Sequence, residues 1–161
     1  MTDFESLLAA LDRNRVEYIV VGGAAALAHG SARFTQDLDV VYSRSPANID
    51  RLVSALADLT PYLRGAPPGL PFVWDRVTLS HGLNFTLETS LGPIDLLGEI
   101  PGGGTYADLV DGSVELRFFA GSSKCLSLDQ LIRAKRAAGR PKDLEALAEL
   151  EVLREEASNG S

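Results

Sequence analysis

Sulfur, imidazole and indole are scarce in this chain of 161 residues, which has one cysteine, one methionine, one tryptophan and two histidines. The lone Cys125 excludes an intrachain disulfide and fits a reducing compartment, with the thiol serving as a small buried group. His29 and His81 each precede a glycine in a turn context, and two histidines are too few for a histidine-rich metal site. The start, Met-Thr-Asp-Phe-Glu, has no basic stretch leading into an apolar run, so no signal peptide is read. Nowhere does an apolar run approach the roughly 18 residues that read as a membrane span. Positive charge is also short: 15 Lys and Arg stand against 22 Asp and Glu, a net charge of −7. That balance excludes a protein that coats nucleic acid with its whole surface, though not a local basic site. A cytoplasmic protein with no membrane partner is the expectation.

What is present is ordinary globular material, 45% hydrophobic and 23% charged. The length is enough for one domain with a real core. Residues 1–155 are read as that domain and 156–161 as a polar tail.

The stretch from Val20 to Val41 departs from this background. An apolar strand, Tyr18 to Val21, runs into Gly22-Gly23, and the alanine-rich helix Ala24 to Ala28 follows. Paired glycines at a strand-to-helix junction leave bare backbone N–H groups at a helix start, an arrangement that favours an anion such as phosphate. After His29-Gly30-Ser31 the chain returns as a second strand carrying Asp37 and Asp39. At i and i+2 in a strand, both carboxylates point to one face, about 6–7 Å apart. Aspartate is depleted in strands and same-face anions repel, so a bound cation would relieve the pair.

Elsewhere, Phe4, Leu7, Leu8 and Leu11 predict an amphipathic helix over 2–14, capped by Thr2 or Asp3. Ser45-Pro46 opens a helix whose buried stripe is Ile49, Leu52, Val53 and Leu56. The proline-rich segment from Pro61 to Pro71 reads as an irregular connection rather than a lid. Phe72 to Leu79 and Leu83 to Thr89 are predicted strands, the second turning through Ser90-Leu91-Gly92 into Ile94-Asp95-Leu96-Leu97. Asp95 is a single acid in an apolar strand, so it needs a partner or a ligand. Glu88 would share its face in a tight hairpin register. Pro101 to Gly104 reads as a flexible connector, and Val114, Leu116 and Phe118 mark a last strand. Ser127-Leu128-Asp129-Gln130 is a capping box that opens a helix. Gly139 ends that helix and Pro141 starts another, with Leu144, Leu147, Leu150 and Leu153 as its buried seam.

Between Leu131 and Lys142 there is no acid, while Arg133, Lys135, Arg136, Arg140 and Lys142 all fall there. These cations either satisfy a helix end and solvate the surface, or clamp a triphosphate or polyanion. Lys135 and Lys142 are the candidate contacts. Arg33 and Thr35, just ahead of the acid pair, either fix their loop or reach phosphate. Asp143 is read as interacting with the first turn of its own helix rather than with metal.

These residues carry a resemblance. Gly22-Gly23, thirteen residues, Asp37-Leu38-Asp39 and later Asp95 resemble the nucleotidyltransferase-fold superfamily. That group includes polymerase-beta-like enzymes, antibiotic nucleotidyltransferases and abortive-infection-type toxins. The chain is most similar to small bacterial members of the last branch through residues 22–39, 84–97 and 135–143. The resemblance implies an α/β (α+β) fold, a mixed twisted sheet flanked by helices, with two C-terminal helices. It also implies transfer of an NMP from an NTP to a hydroxyl of RNA, protein or a small molecule, and a toxin-like role. Asp37, Asp39 and Asp95 would hold Mg²⁺ or Mn²⁺, and Asp95 would help deprotonate the acceptor. Gly22 and Gly23 would lie against phosphate, with Arg33, Thr35, Lys135 and Lys142 as further nucleotide contacts. Many members of the superfamily add a C-terminal helical domain, and only two helices follow the sheet here. A second copy or an antitoxin-like partner would then complete the site. Two other readings share the fold: a nucleotide-binding regulatory module without turnover, and an interaction half of a toxin–antitoxin pair.

Overall fold

A computed structural model describes residues 2–159. The chain begins with α1 (Phe4–Arg13), capped by Asp3, whose carboxylate accepts from the Ser6 N–H at 3.0 Å. Its Leu7, Leu8 and Leu11 are buried. Strand β1 (Tyr18–Val21) is buried along its whole length and passes directly into α2 (Gly22–Ala28). Strand β2 (Leu38–Tyr42) returns antiparallel to β1, and α3 (Pro46–Leu56) starts on the Ser45 cap with Pro46 at its first position. Next come β3 (Tyr62–Leu63), α4 (Arg76–His81), β4 (Phe85–Thr89) and β5 (Gly92–Leu97). A small ribbon of β6 (Glu99–Ile100) and β7 (Gly104–Thr105) leads into α5 (Tyr106–Leu109). Then follow β8 (Val114–Phe118), β9 (Gly121–Cys125), α6 (Leu128–Ala138) and α7 (Pro141–Asn159).

Seven strands form one mixed sheet in the order β3-β4-β5-β2-β1-β9-β8. Strands β2 and β5 run parallel, as do β1 and β9, while the other neighbouring pairs are antiparallel. Helices flank the sheet, giving the α+β architecture expected from the sequence. Strands β1 and β2 lie near its centre, and Ile19, Val20, Val40 and Val41 are fully buried in the hydrophobic cluster that joins sheet and helices. Among the described residues, no helix is long and apolar enough to cross a membrane.

The two C-terminal helices form an antiparallel hairpin. Asp129, early in α6, pairs with Arg154, late in α7, at 3.2 Å, while Lys135, late in α6, pairs with Asp143, early in α7, at 3.2 Å. The Ser127–Gln130 capping box is present, and Gly139 closes α6 at φ +63°, the left-handed position that favours glycine.

Five details differ from the sequence expectation. Residues 72–75 are irregular and 76–81 are helical, where a strand over Phe72 to Leu79 was predicted. Asp75 caps that helix, accepting from Thr78 N–H at 2.8 Å, and this local bond outweighs the alternation of apolar residues. Val114–Phe118 is not the last strand, because β9 follows it and places Cys125 opposite Val20 of β1. The proline-rich segment contains β3, which adds an edge strand to β4. Finally, α7 docks through Leu150, whereas Leu144 is 57% exposed, so the leucine seam is only partly buried. The same helix continues through 156–159 of the expected tail, and 160–161 lie outside the described residues.

Candidate active site

The site forms where β1 and β2 end against β5. Strand β2 pairs with β5 in the register Asp39 opposite Asp95, and β1 pairs with β2 in the register Val21 opposite Asp39. Residues directly opposite in neighbouring strands project to the same face. That register brings together two acids separated by more than fifty positions in the chain. Asp37 lies one residue before β2 and reaches the same place. Each of Asp37, Asp39 and Asp95 offers a carboxylate oxygen, and these atoms all lie within 4.8 Å of one another. The three are half-buried.

Gly22 and Gly23 make this closeness possible. Gly22 opens α2 at φ +62°, and a Cβ there would run into the Asp39 carboxylate. A Cβ on Gly23 would come within 2.7 Å of the Thr35 hydroxyl. Thr35 in turn donates to the Asp37 carbonyl at 3.3 Å, a bond within the loop before β2 at the point where that loop passes Gly23. Thr35 therefore fixes the loop. Arg33 is exposed and lines a cleft over the acids, its N–H bonded to the Ser31 hydroxyl at 3.1 Å.

Like charges set the electrostatics. Burial, then the neighbouring Asp95 and Asp37 carboxylates, push the Asp39 carboxyl up to about 8, against the opposing pull of Arg64. The oxygen Oδ1 of Asp39 is buried without a hydrogen-bond partner. An acceptor atom of that kind, facing two more carboxylates, fits a hard divalent cation, which takes oxygen ligands and removes the repulsion. Mg²⁺ and Mn²⁺ match this donor set, and Asp37, Asp39 and Asp95 are the residues that could hold such an ion.

A cleft of about 470 Å³ opens over the acids. Its far wall is the start of α7 and the end of α6, where Lys135, Arg140 and Lys142 line it. Asp143 organises two of these cations. It is 1% exposed, accepts from Arg140 Nε at 2.6 Å and Lys135 Nζ at 3.2 Å, and also accepts from the Arg140 N–H at 3.2 Å. The bonds from Arg140, and then Lys135, hold its carboxyl down at about 2. Asp143 thus contacts its own helix start, as expected, and in addition orients the cations. Arg140 belongs to the cleft alongside the two lysines singled out from sequence.

Arg64 is the site residue that sequence reasoning missed. Its Nη2 donates to Asp95 Oδ1 at 2.8 Å and its Nη1 lies 3.9 Å from Asp37 Oδ2. It sits in the stretch read as an irregular proline-rich connection. The signal available was the unpaired acid itself: Asp95 needed a partner, but nothing local said which cation would supply it. Glu88 does share the face of Asp95, since Thr86 stands opposite Asp95, and Glu88 lies 3.8 Å from Arg64. His29 turns away to bond the Leu126 carbonyl at 2.8 Å.

No protein-family model matches the sequence, and no characterised protein matches it as a relative. Solved structures do match in three dimensions. An inferred nucleotidyltransferase from Thermotoga maritima (TM1012) superposes with a TM-score of 0.56 at 15% identity, over 92% of this chain and 94% of its own. ANT(2″)-Ia in complex with adenylyl-2″-tobramycin gives 0.56 at 17% identity, over 97% and 95%. The solution structure of the antibiotic-resistance factor ANT(2″)-Ia gives 0.53 at 18% identity, over 96% and 88%. At these identities the likeness concerns the fold. The chain has the nucleotidyltransferase fold.

Proposed function

We propose that this chain is a metal-dependent nucleotidyltransferase that moves an NMP from an NTP to a hydroxyl acceptor. The observation that carries the reading is the convergence of Asp37, Asp39 and Asp95 within 4.8 Å, beside a glycine pair and under a cation-lined cleft. A bound Mg²⁺ or Mn²⁺ supplies charge neutralisation at the transferred phosphate, with the three aspartates as its protein ligands. Gly22 and Gly23 present backbone N–H groups to phosphate with no side chain in the way. Lys135, Arg140 and Lys142 balance the charge of the triphosphate, and Asp143 holds the first two in place. The acceptor oxygen bonds to the α-phosphorus as the bond to the β-phosphate oxygen breaks. Pyrophosphate leaves with the electron pair, and Asp95 takes the acceptor proton. Such chemistry rests on positioning and charge stabilisation, so few reactive side chains are needed.

The fold neighbour bound to an adenylylated antibiotic supports a hydroxyl-bearing acceptor. RNA, protein and small-molecule hydroxyls all satisfy the chemistry. Incubation with labelled NTPs, Mg²⁺ and cell extract tests the reading. Label should pass to an acceptor with wild type and vanish with Asp37→Ala and Asp39→Ala combined. Labelling that survives the double substitution, or that never occurs, would sink the proposal.

A further inference from the structure

Arg64 follows the edge strand β3, and its N–H bonds to the Thr86 carbonyl at 3.0 Å, which extends the pairing with β4 by one residue. From that anchored backbone the guanidinium lies across β4. Nη2 donates to the Leu87 carbonyl at 2.7 Å and to Asp95 Oδ1 at 2.8 Å. Nη1 approaches Asp37 Oδ2, and Nε is buried with no hydrogen-bond partner. The side chain is only 26% exposed. A solvated surface arginine has none of these features. This one is bound to main chain at two points and directed into the acid cluster.

Two cations then compete for the same oxygens. A guanidinium is always charged and holds a carboxylate through fixed N–H directions. Its bond to Asp95 Oδ1 uses a lone pair that a metal would otherwise take, and its charge repels a divalent ion placed among the same three acids. Glu88, also near Arg64, is half in water and lies outside the cluster.

We propose that Arg64 is a positioning residue that serves as the internal counter-ion of the acid cluster, holding Asp95 in place and competing with the divalent metal for it. In the nucleotide-free protein the metal is therefore held mainly by Asp37 and Asp39, and weakly. Arrival of a triphosphate adds negative charge on the metal side and shifts the balance toward the ion, so metal and nucleotide bind with mutual reinforcement. This rests on the metal-binding part of the proposed function.

Titration of the full chain with Mn²⁺ in the absence of nucleotide, followed by electron paramagnetic resonance of the free ion, tests it. Arg64→Met removes the charge and should bind Mn²⁺ more tightly than wild type, on the order of ten- to a hundredfold after solvent screening. Arg64→Lys keeps the charge but loses the fork geometry and should fall between the two. It also keeps the inference testable where the loss of the Leu87 anchor leaves the methionine variant unfolded. Adding a non-hydrolysable ATP analogue should tighten Mn²⁺ binding more in wild type than in Arg64→Met. Equal affinities across the three proteins, or weaker binding in the variants, would overturn the competition while leaving the metal site standing. Absence of Mn²⁺ binding in every one of them would overturn the metal site itself, and the inference with it.

Discussion

Asp39 stands on β2 with Asp95 opposite it on β5 and Asp37 just before it, and one of its own oxygens is buried without a partner. Burial and the two neighbouring carboxylates raise its proton affinity to about 8, from the 3.8 expected of the unfolded chain. Between those two values the folded protein holds a proton that the unfolded chain has released. Stability of the metal-free protein therefore falls as pH rises from about 4 to about 8. Denaturant unfolding in chelator across that range should show the decline, and Asp39→Asn should flatten it. A slope unchanged by the substitution would mean that Asp39 ionises freely. Metal must displace the same proton, so Mn²⁺ affinity should rise with pH over the same window. From the sequence alone, Asp37 and Asp39 were visible as an oddity and Asp95 as an acid in want of a partner. The distance from that pair to Asp95 was not visible, because a strand register is set by pairing and not by local composition.

The helix hairpin of α6 and α7 carries the cations of the cleft, and Asp143 is the buried group that joins its two halves near the turn. Arg140 and Lys135 hold the Asp143 carboxyl at about 2, below the unfolded value of 3.8. The stabilisation they provide is present above the unfolded value and is lost as pH falls through about 2. Asp143→Asn should lower the thermal midpoint at neutral pH, with the gap to wild type closing as the medium is acidified toward that value. Circular dichroism melts at the two conditions would check this, and a gap that stays constant would remove Asp143 from the role. Helix ends in this hairpin were legible because capping chemistry is local: Ser127, Gln130, Gly139 and Pro141 each act within a turn. The hairpin of β8 and β9 was not legible. Its turn places Phe119 and Ala120 at φ +51° and +65°, positions where glycine or asparagine is the usual signal. Phe119 instead stacks on Phe4 at 5.2 Å, and the polar run Ser122-Ser123-Lys124 hides a strand that packs beside β1. Tertiary contact decided that element. The short helix α4 shows the converse, since a local cap at Asp75 overrode an alternating pattern that read as strand.

Across the whole molecule, metal binding and folding should be linked. A ligand that binds only the folded chain stabilises it by about 2.7 kcal/mol when its concentration is a hundredfold above the dissociation constant. Thermal unfolding with increasing Mn²⁺ should therefore move upward in wild type and stay flat when Asp37 and Asp39 are both replaced by asparagine. An equal shift in both proteins would place the ion elsewhere. The sequence by itself determined the helices α1, α3, α6 and α7, the strands β1, β2, β4, β5 and β8, the glycine pair against the acid pair, and the basic stretch after Leu131. Each of these depends on neighbours in the chain, through side-chain period, backbone freedom and capping bonds. Only the tertiary structure decided that Asp95 stands opposite Asp39, that Asp143 aims two cations into the cleft, and that Arg64 reaches the acids from an edge strand. The first and last of these join residues far apart in the chain, and the second, local in sequence, meets the acids only across the cleft that the docked hairpin closes. Sheet register and the docking of the helix hairpin settle them, because the buried core allows only one alignment of the strands that keeps their apolar faces covered.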